Sequence, residues 1–271
     1  MNQPQELHKI AEGREAEIFA WEDGNVLRLL RNPNAQQQVE WEAQAMKAAR
    51  AAGVSVPAVH GTTTVQERPG LVMERIDGPD QLTLLTQRPW LLFRAARLLG
   101  EVHAQLHETE APDSLSALKA SHKRRIESSD QVPPHLAEFA VAELEKLPDG
   151  DRLCHGDYHP ANLLMTNGAP VVIDWTNVTR GDPAADVART LMLLRLGEPP
   201  PGTPAIVRLL TLVGRRIMLS GYLRAYRRRP VDMGLIDRWE VPIVAVRLTE
   251  KIESERPALL RILEKRGAAA G

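Results

Sequence analysis

The chain opens with short runs in which apolar and polar positions alternate. Glu17–Trp21 and Asn25–Leu30 carry β-forming residues and flank Glu22-Asp23-Gly24, a turn signal of the kind that closes a hairpin. The pattern then changes. Ala35 to Ala52 is dominated by Ala, Gln, Glu, Met, Lys and Arg, which favour helix, and Gly53 followed by Pro57 stops it. Val54–His60 and Gly70–Ile76 predict two more strands. The first part therefore reads β-β-α-β-β.

Asp77-Gly78-Pro79 is a cluster of breakers and the candidate hinge between a first lobe, residues 1–76, and a second, residues 77–271. Beyond it the period is helical. Leu92, Ala95, Ala96, Leu99, Val102 and Leu106 form a stripe within Pro89–Thr109. Pro133–Leu147 predicts another helix. Leu153 to Asp174 interrupts the trend with two apolar runs, Asn162–Met165 and Pro170–Ile173, joined by Asn167-Gly168, a strong hairpin turn. Pro183–Leu196, Thr203–Arg229 and Asp232–Lys265 return to helix, with interruptions expected near Pro242 and Pro257. Pro199–Pro204 reads as a loop and the tail Gly267–Gly271 as frayed. The pattern gives a small sheet-rich lobe followed by a larger helical one, an α+β architecture.

Composition narrows the function classes. At 271 residues, with 43% hydrophobic and 25% charged, the chain can bury a sizeable core. Its 34 basic and 35 acidic residues leave a net charge of -1, which argues against nucleic acid or a membrane surface as partner. One cysteine, Cys154, rules out an intrachain disulfide and suits a reducing compartment. The N-terminal residues lack a secretory signal, and no stretch approaches 18 uninterrupted apolar residues. The expectation is a cytoplasmic protein.

The chemistry concentrates in LCHGDYHPANLLMTNGAPVVIDW. Asp157 lies in a polar loop containing Gly and Pro. Asn162 follows five positions later, just before an apolar run, and Asp174 ends the next one. A hairpin through Asn167-Gly168 brings Asp174 back towards Asn162. Two carboxylates and an amide oxygen then share one end of a small β-structure. Hard oxygen ligands of this kind suit Mg²⁺, with Asn162 and Asp174 as candidate metal ligands. Asp157 is then placed to orient an attacking hydroxyl and take its proton.

HGDYHPANLL followed by VVIDW resembles the catalytic and metal loops of the aminoglycoside phosphotransferases and their relatives, the choline, homoserine, fructosamine and macrolide kinases. Further segments are similar: Leu106-His107 before the catalytic loop, GDPAADVA with Asp182 and Asp186 after it, LVMERIDG at the hinge, and SGYLRAYRR in a late helix. The resemblance implies a bilobal protein kinase-like fold and an ATP-dependent, Mg²⁺-requiring transfer to a small-molecule hydroxyl. It implies that Arg28 contacts the α- and β-phosphates and that Glu42 is its partner acid. The hinge around Glu74 and Ile76 would hold the adenine edge, and Gly13 with Arg14 to Ala16 would form the loop over the phosphates. Two positions depart from the pattern. Arg28 stands where the better-known antibiotic kinases have lysine, and the phosphate loop has one glycine, Gly13. These departures motivate an alternative, a nucleotide-binding pseudokinase that regulates a partner. The intact Asp157, Asn162 and Asp174 set weighs against it.

Other features admit plainer readings. A metallohydrolase using His155, Asp157, His159 and Asp174 leaves the sheet lobe, Arg28 and Glu42 unexplained. His103 and His107 stand four apart on one helix, but without an evident third ligand they read as ordinary helix residues. Cys154 reads as a packed thiol. The basic run Arg224–Arg229 and the acids Glu250, Glu253 and Glu255 read as solvated helix surfaces. An aminoglycoside acceptor needs a strongly acidic pocket, and the late helices carry a basic run from Arg208 to Arg229 without an acid. A metabolic or natural-product alcohol is therefore the favoured acceptor.

Overall fold

The computed structural model of the chain describes residues 7–13, 15–196, 205–227 and 232–270. Arg14, the expected loop at 199–204, and Arg228 and Arg229 of the expected basic cluster lie outside them.

Five antiparallel strands form the first sheet: β1 (Lys9–Glu12), β2 (Ala16–Ala20), β3 (Asn25–Leu30), β4 (Val59–Val65) and β5 (Arg68–Glu74), in the order β1-β2-β3-β5-β4. Helix α1 (Gln36–Ala51) lies between β3 and β4 in the chain. The period of two in β3 decides what meets what. Leu27 and Leu29 pack with Phe19 in an outer cluster. Leu30 joins the main core with Val39, Ala43 and Met46 of α1, so Arg28 is directed to that same face. Gln36–Ala51 buries a stripe at Val39, Glu42, Ala43, Met46 and Ala49, and an acid sits within it. Glu42 is tolerated there because Arg28 reaches it.

Two expectations shift here. Val54–His60 is mostly an extended approach with Val54 and Val56 buried, and strand pairing begins at Val59. Strand β1 was not expected, because all four of its residues are exposed and show no apolar alternation.

The second part is mainly helical: α2 (Gln81–Gln87), α3 (Leu92–Leu106), α4 (Leu118–Glu127), α5 (Pro134–Glu145), α6 (Pro183–Leu196), α7 (Ala205–Tyr226), α8 (Met233–Leu248) and α9 (Arg256–Ala270). Between α5 and α6 lie β6 (Arg152–Cys154), β7 (Leu163–Thr166), β8 (Ala169–Val172) and β9 (Thr179–Gly181). β6 pairs with β9 and β7 with β8, both antiparallel. The β7–β8 turn has φ of 50° at Asn167 and 79° at Gly168, as its sequence requires. α4 escaped the sequence pattern because LKASHKRRIE buries only Leu118, His122 and Ile126. α8 runs through Pro242, where an interruption was expected. The break falls instead between α8 and α9. Pro257 sits in the first turn of α9, where its missing N–H costs nothing. No described helix is long and apolar enough to cross a membrane.

α3 and α7 pack through small residues. A Cβ on Gly100 would run into the Tyr222 carbonyl and approach Ala225 Cβ to 2.9 Å, and one on Gly221 would lie 2.7 Å from Ala96 Cβ. Alanine raises helix propensity over glycine, so the two effects oppose each other. Overpacking is expected to win: Gly100→Ala should destabilise by about 1–3 kcal/mol and lower the thermal midpoint by several degrees. An unchanged or raised midpoint would show that the two helices are not held this close.

Candidate active site

The loop bearing Asp157 leaves β6 through Gly156, whose φ of +78° and contact with Asn177 leave no room for a side chain. Asp186, in the first turn of α6, holds this loop. Its Oδ1 accepts from Gly156 N at 2.9 Å and its Oδ2 from His155 N at 2.6 Å. The same Oδ2 meets His103 Nε2 and His107 Nε2, each at 3.2 Å. Behind them, His103 Nδ1 lies 2.8 Å from the Tyr222 hydroxyl and His107 Nδ1 lies 2.7 Å from that of Tyr226. Burial pushes the Asp186 carboxyl up, but the two histidines outweigh it and hold it well below the usual range. Burial, reinforced by His107, pushes His103 down to about 3. Neutral His103 therefore donates Nε2–H to the carboxylate and accepts the Tyr222 hydroxyl at Nδ1.

His103, His107 and Asp186 supply the third ligand that the sequence did not reveal, and the trio could in principle hold a metal. Its hydrogen bonds argue otherwise. The carboxylate already takes four donors, and each imidazole uses both nitrogens. The arrangement is a closed clamp on the loop.

His155 also spends both ring nitrogens on backbone. Nε2 lies 3.0 Å from the Ile173 carbonyl, and Nδ1 accepts from Asp157 N at 3.3 Å. This removes it as a metal ligand, and with it the metallohydrolase arrangement. Cys154 is fully buried and its thiol is pushed well up by that burial, so it is not a nucleophile.

The three residues singled out by sequence do converge. Asn162 donates from Nδ2 to the Asp157 carbonyl at 2.8 Å, and its own carbonyl accepts from Ile173 N at 3.0 Å, beside Asp174. Asp174 adopts φ 61° and leaves its side chain 46% exposed to the cleft. Thr176 donates from Oγ1 to Asp174 Oδ1 at 2.5 Å. Their donor set, an amide and a carboxylate with no sulfur or imidazole, fits a hard divalent cation such as Mg²⁺ or Ca²⁺.

From the sheet side, Arg28 Nη1 reaches Glu42 Oε1 and Oε2 at 3.1 and 2.9 Å. Its Nη2 donates to Thr176 Oγ1 at 2.5 Å and lies 3.6 Å from Asp174 Oδ1. Burial pushes the Glu42 carboxyl up to about 7, against the pull of Arg28. The planar fork thus serves two partners on two sides, which a lysine ammonium could not do in the same way.

Between these groups lies a cleft of about 590 Å³. Ile18 and Val26 form one wall, Leu164 and Ile173 the other, and Met73 to Asp77 the back. Glu74 and Ile76 both line it, as does Gly13. The Glu74 carboxylate accepts from Ala58 N at 2.9 Å, so this side chain braces the segment and leaves its backbone at the cleft.

Two residues were not found from sequence. Arg189 of α6 donates from Nη2 to Asp157 Oδ1 at 3.1 Å and pairs with Glu250 at 2.8 Å. Glu250 was read as a solvated helix residue. It follows α8 and is tied instead to Arg125, Arg189 and Arg247. Glu255 likewise pairs with Arg247, at 2.6 Å. The only sequence signal was an excess of arginines in α4, α6 and α8, with no hint of their convergence. Burial pushes the Asp157 carboxyl up, but the His159 hydrogen bond and the Arg189 charge outweigh it and hold it below the usual carboxylate range.

A small antiparallel sheet with one helix, set over a helical body with a cleft between them, is the architecture of the protein kinase-like phosphotransferases. The chain belongs to the phosphotransferase enzyme family, whose model it matches over residues 6–225. No curated protein sequence matches it. Solved structures match along most of its length. A thermostable mutant of aminoglycoside phosphotransferase APH(4)-Ia in its apo form is 18% identical, with a TM-score of 0.65 covering 98% of this chain and 93% of that one. The amicoumacin kinase hAmiN is 15% identical, with a TM-score of 0.67 covering 97% and 88%. An aminoglycoside-3'-phosphotransferase of type VIII is 21% identical, with a TM-score of 0.60 covering 89% and 93%.

The buried histidines set a pH dependence. His103 and His122 are pushed down to about 3 from 6.5, mainly by burial, and His155 is lowered by the same cause. In the unfolded chain these groups bind protons that the folded chain refuses. For His103 and His122 that stabilisation is present above about pH 6.5 and is lost as the pH falls, at up to about 1.4 kcal/mol per unit each. His155 acts in the same direction, and Glu42, raised to about 7, opposes them as a single group. The thermal midpoint should therefore drop steadily between pH 7 and 5. A flat midpoint across that window would contradict the neutral-histidine clamp.

Proposed function

We propose that the chain is an ATP-dependent, Mg²⁺-requiring kinase that moves the γ-phosphoryl group of ATP to a hydroxyl of a small molecule. The observation that carries this reading is the convergence of Asp157, Asn162 and Asp174 beside the cleft, with Arg28 of the Arg28–Glu42 pair meeting Asp174 from the sheet side. In support, the amicoumacin kinase structure holds AMP-PNP and Ca²⁺.

In this reading residues 1–76 carry the nucleotide and residues 77–271 carry catalysis and the acceptor. The apolar walls at Ile18, Val26, Leu164 and Ile173 stack on the adenine. The backbone at Glu74 and Ile76 takes its polar edge. The Gly13 turn covers the phosphates, and Arg28, fixed by Glu42, meets the α- and β-phosphates. Asn162 and Asp174 hold Mg²⁺. When bound, MgATP supplies the transferable phosphoryl group and the cation's neutralisation of its charge. Asp157 orients the acceptor hydroxyl and takes its proton. A carboxylate held this acidic is a weak base, which suits a loose transition state in which positioning outweighs proton abstraction. Arg189 fixes the direction of Asp157. The buried cysteine and the lack of a described membrane-crossing helix fit a cytoplasmic setting.

The residues divide experimentally. Asp157→Ala should cut phosphoryl transfer by about 10²-fold or more and leave MgATP affinity intact, because this group acts on the acceptor. Asp174→Ala should remove the divalent-dependent part of nucleotide binding. The two are separated by measuring ADP release alongside nucleotide titration. Full turnover in Asp157→Ala would contradict the catalytic role, and nucleotide binding without any ADP release from the unmodified chain would leave the pseudokinase as the better reading.

A further inference from the structure

Beside the nucleotide cleft lies a second cavity of about 600 Å³, between α1, α4, α6 and α8. Arg125, Arg189 and Glu250 line both spaces, and Arg189 touches Asp157 from the wall they share. Among the described residues, nine buried side-chain polar atoms lack a hydrogen-bond partner. Five of them belong to four residues of this one cavity: Trp41 Nε1, His122 Nδ1, Thr179 Oγ1, and Arg189 Nε and Nη1. Buried polar groups are normally satisfied, so their concentration here marks the place of an absent polar partner.

The atoms also indicate what that partner is. The indole and guanidinium nitrogens can only donate. Arg189, Thr179 and His122 are each less than 9% exposed, so none can turn freely to bulk water instead. Arg124, exposed at the rim, and Arg125 add cationic donors. The carboxylates in the same wall are already engaged. Asp186 takes four donors, Glu250 is held by three arginines, and Glu15 accepts from Gln38 at 3.3 Å. Glu15 is exposed and its partner is a neutral amide, so what the buried part of the wall presents is hydrogen-bond donors. Burial lowers the pKa of Arg125 and the charge of Arg189 lowers it further, against Glu250, so the arginines also crowd one another.

We infer that this second cavity receives the acceptor, and that the acceptor is an alcohol carrying an anionic oxygen group, such as a hydroxy acid, in place of a polyamine. The anionic group is held by the donors of Arg189, Arg125 and Arg124, and the hydroxyl is presented past Arg189 to Asp157. The inference rests on the kinase reading of the neighbouring cleft. On transfer the acceptor oxygen bonds to phosphorus, the β–γ bridging bond breaks with its electron pair passing to ADP, and the hydroxyl proton goes to Asp157.

The test uses the full chain and two matched series of probes: gluconate, glucose and glucosamine, and glycerate, glycerol and serinol. Each is titrated in the presence of saturating MgADP, with the thermal midpoint as readout, and each is assayed for ADP release from MgATP. Within both series the anion should bind most tightly and the amine least. Arg124→Glu, at the exposed rim, should weaken the anion by about tenfold, the value of a charge-assisted hydrogen bond. Equal binding within a series, an order led by the amine, or no anion effect while MgATP still binds would overturn the proposal. Failure of MgATP itself to raise the midpoint would overturn the kinase reading, and is seen separately.

Discussion

The cleft depends on one guanidinium. Arg28 is carried on the inner face of β3, bonds Glu42 of α1 on one side, and reaches Thr176 and Asp174 beyond β8 on the other. Sheet, helix and the segment carrying the metal-type carboxylate are thereby set relative to one another before any ligand arrives. The pair is buried, with side-chain exposures of 9% and 1%, so neither group can be removed cheaply. Stripping one partner from such a pair leaves an uncompensated charge at a cost of about 3–5 kcal/mol. Arginine can serve two partners through one plane, so the departure from lysine changes the geometry of the site.

A second anchor works from below. Asp186 fixes the backbone entering Asp157, and its own ionisation is secured by His103 and His107, which lean on Tyr222 and Tyr226. Those four side chains meet only because α3 and α7 approach closely at Gly100 and Gly221. Two small residues on a helix interface thus bear on the placement of a carboxylate in a loop. Preorganisation of this sort is what phosphoryl transfer asks of a protein, since the reaction needs positioning and charge compensation more than covalent help.

Sequence legibility followed locality. The β7–β8 hairpin and the approach of Asn162 to Asp174 were readable because a two-residue Asn-Gly turn fixes its own register. α6 was readable between Pro183 and Leu196, with Asp182 capping its first turn through Ala184 N at 2.7 Å. Arg28 and Glu42 were legible only through the resemblance to the phosphotransferases, since no local pattern pairs a strand residue with one fourteen positions on. β1 and α4 were missed because their surfaces are polar and they are held by tertiary contacts. The Arg125, Arg189, Arg247 and Glu250 cluster was missed for a different reason. Its members come from three separate segments, α4, α6 and the end of α8, and apart from the i,i+3 spacing of Arg247 and Glu250 no local pattern records that they meet. Glu250 consequently read as solvent-facing when it is the centre of an ion-pair network.

The proposed kinase requires the cleft to take a nucleotide and a divalent cation together. The measurement that tests it most directly is the thermal midpoint of the unmodified chain with ATP and Mg²⁺, compared with ATP and a chelator. Binding to the folded state alone must raise the midpoint, by about 2.7 kcal/mol of stability at a hundredfold excess over the dissociation constant. The account predicts a clear rise with ATP and Mg²⁺ together and a much smaller one when the cation is withheld. No rise at millimolar MgATP, or one that the chelator leaves untouched, would contradict it.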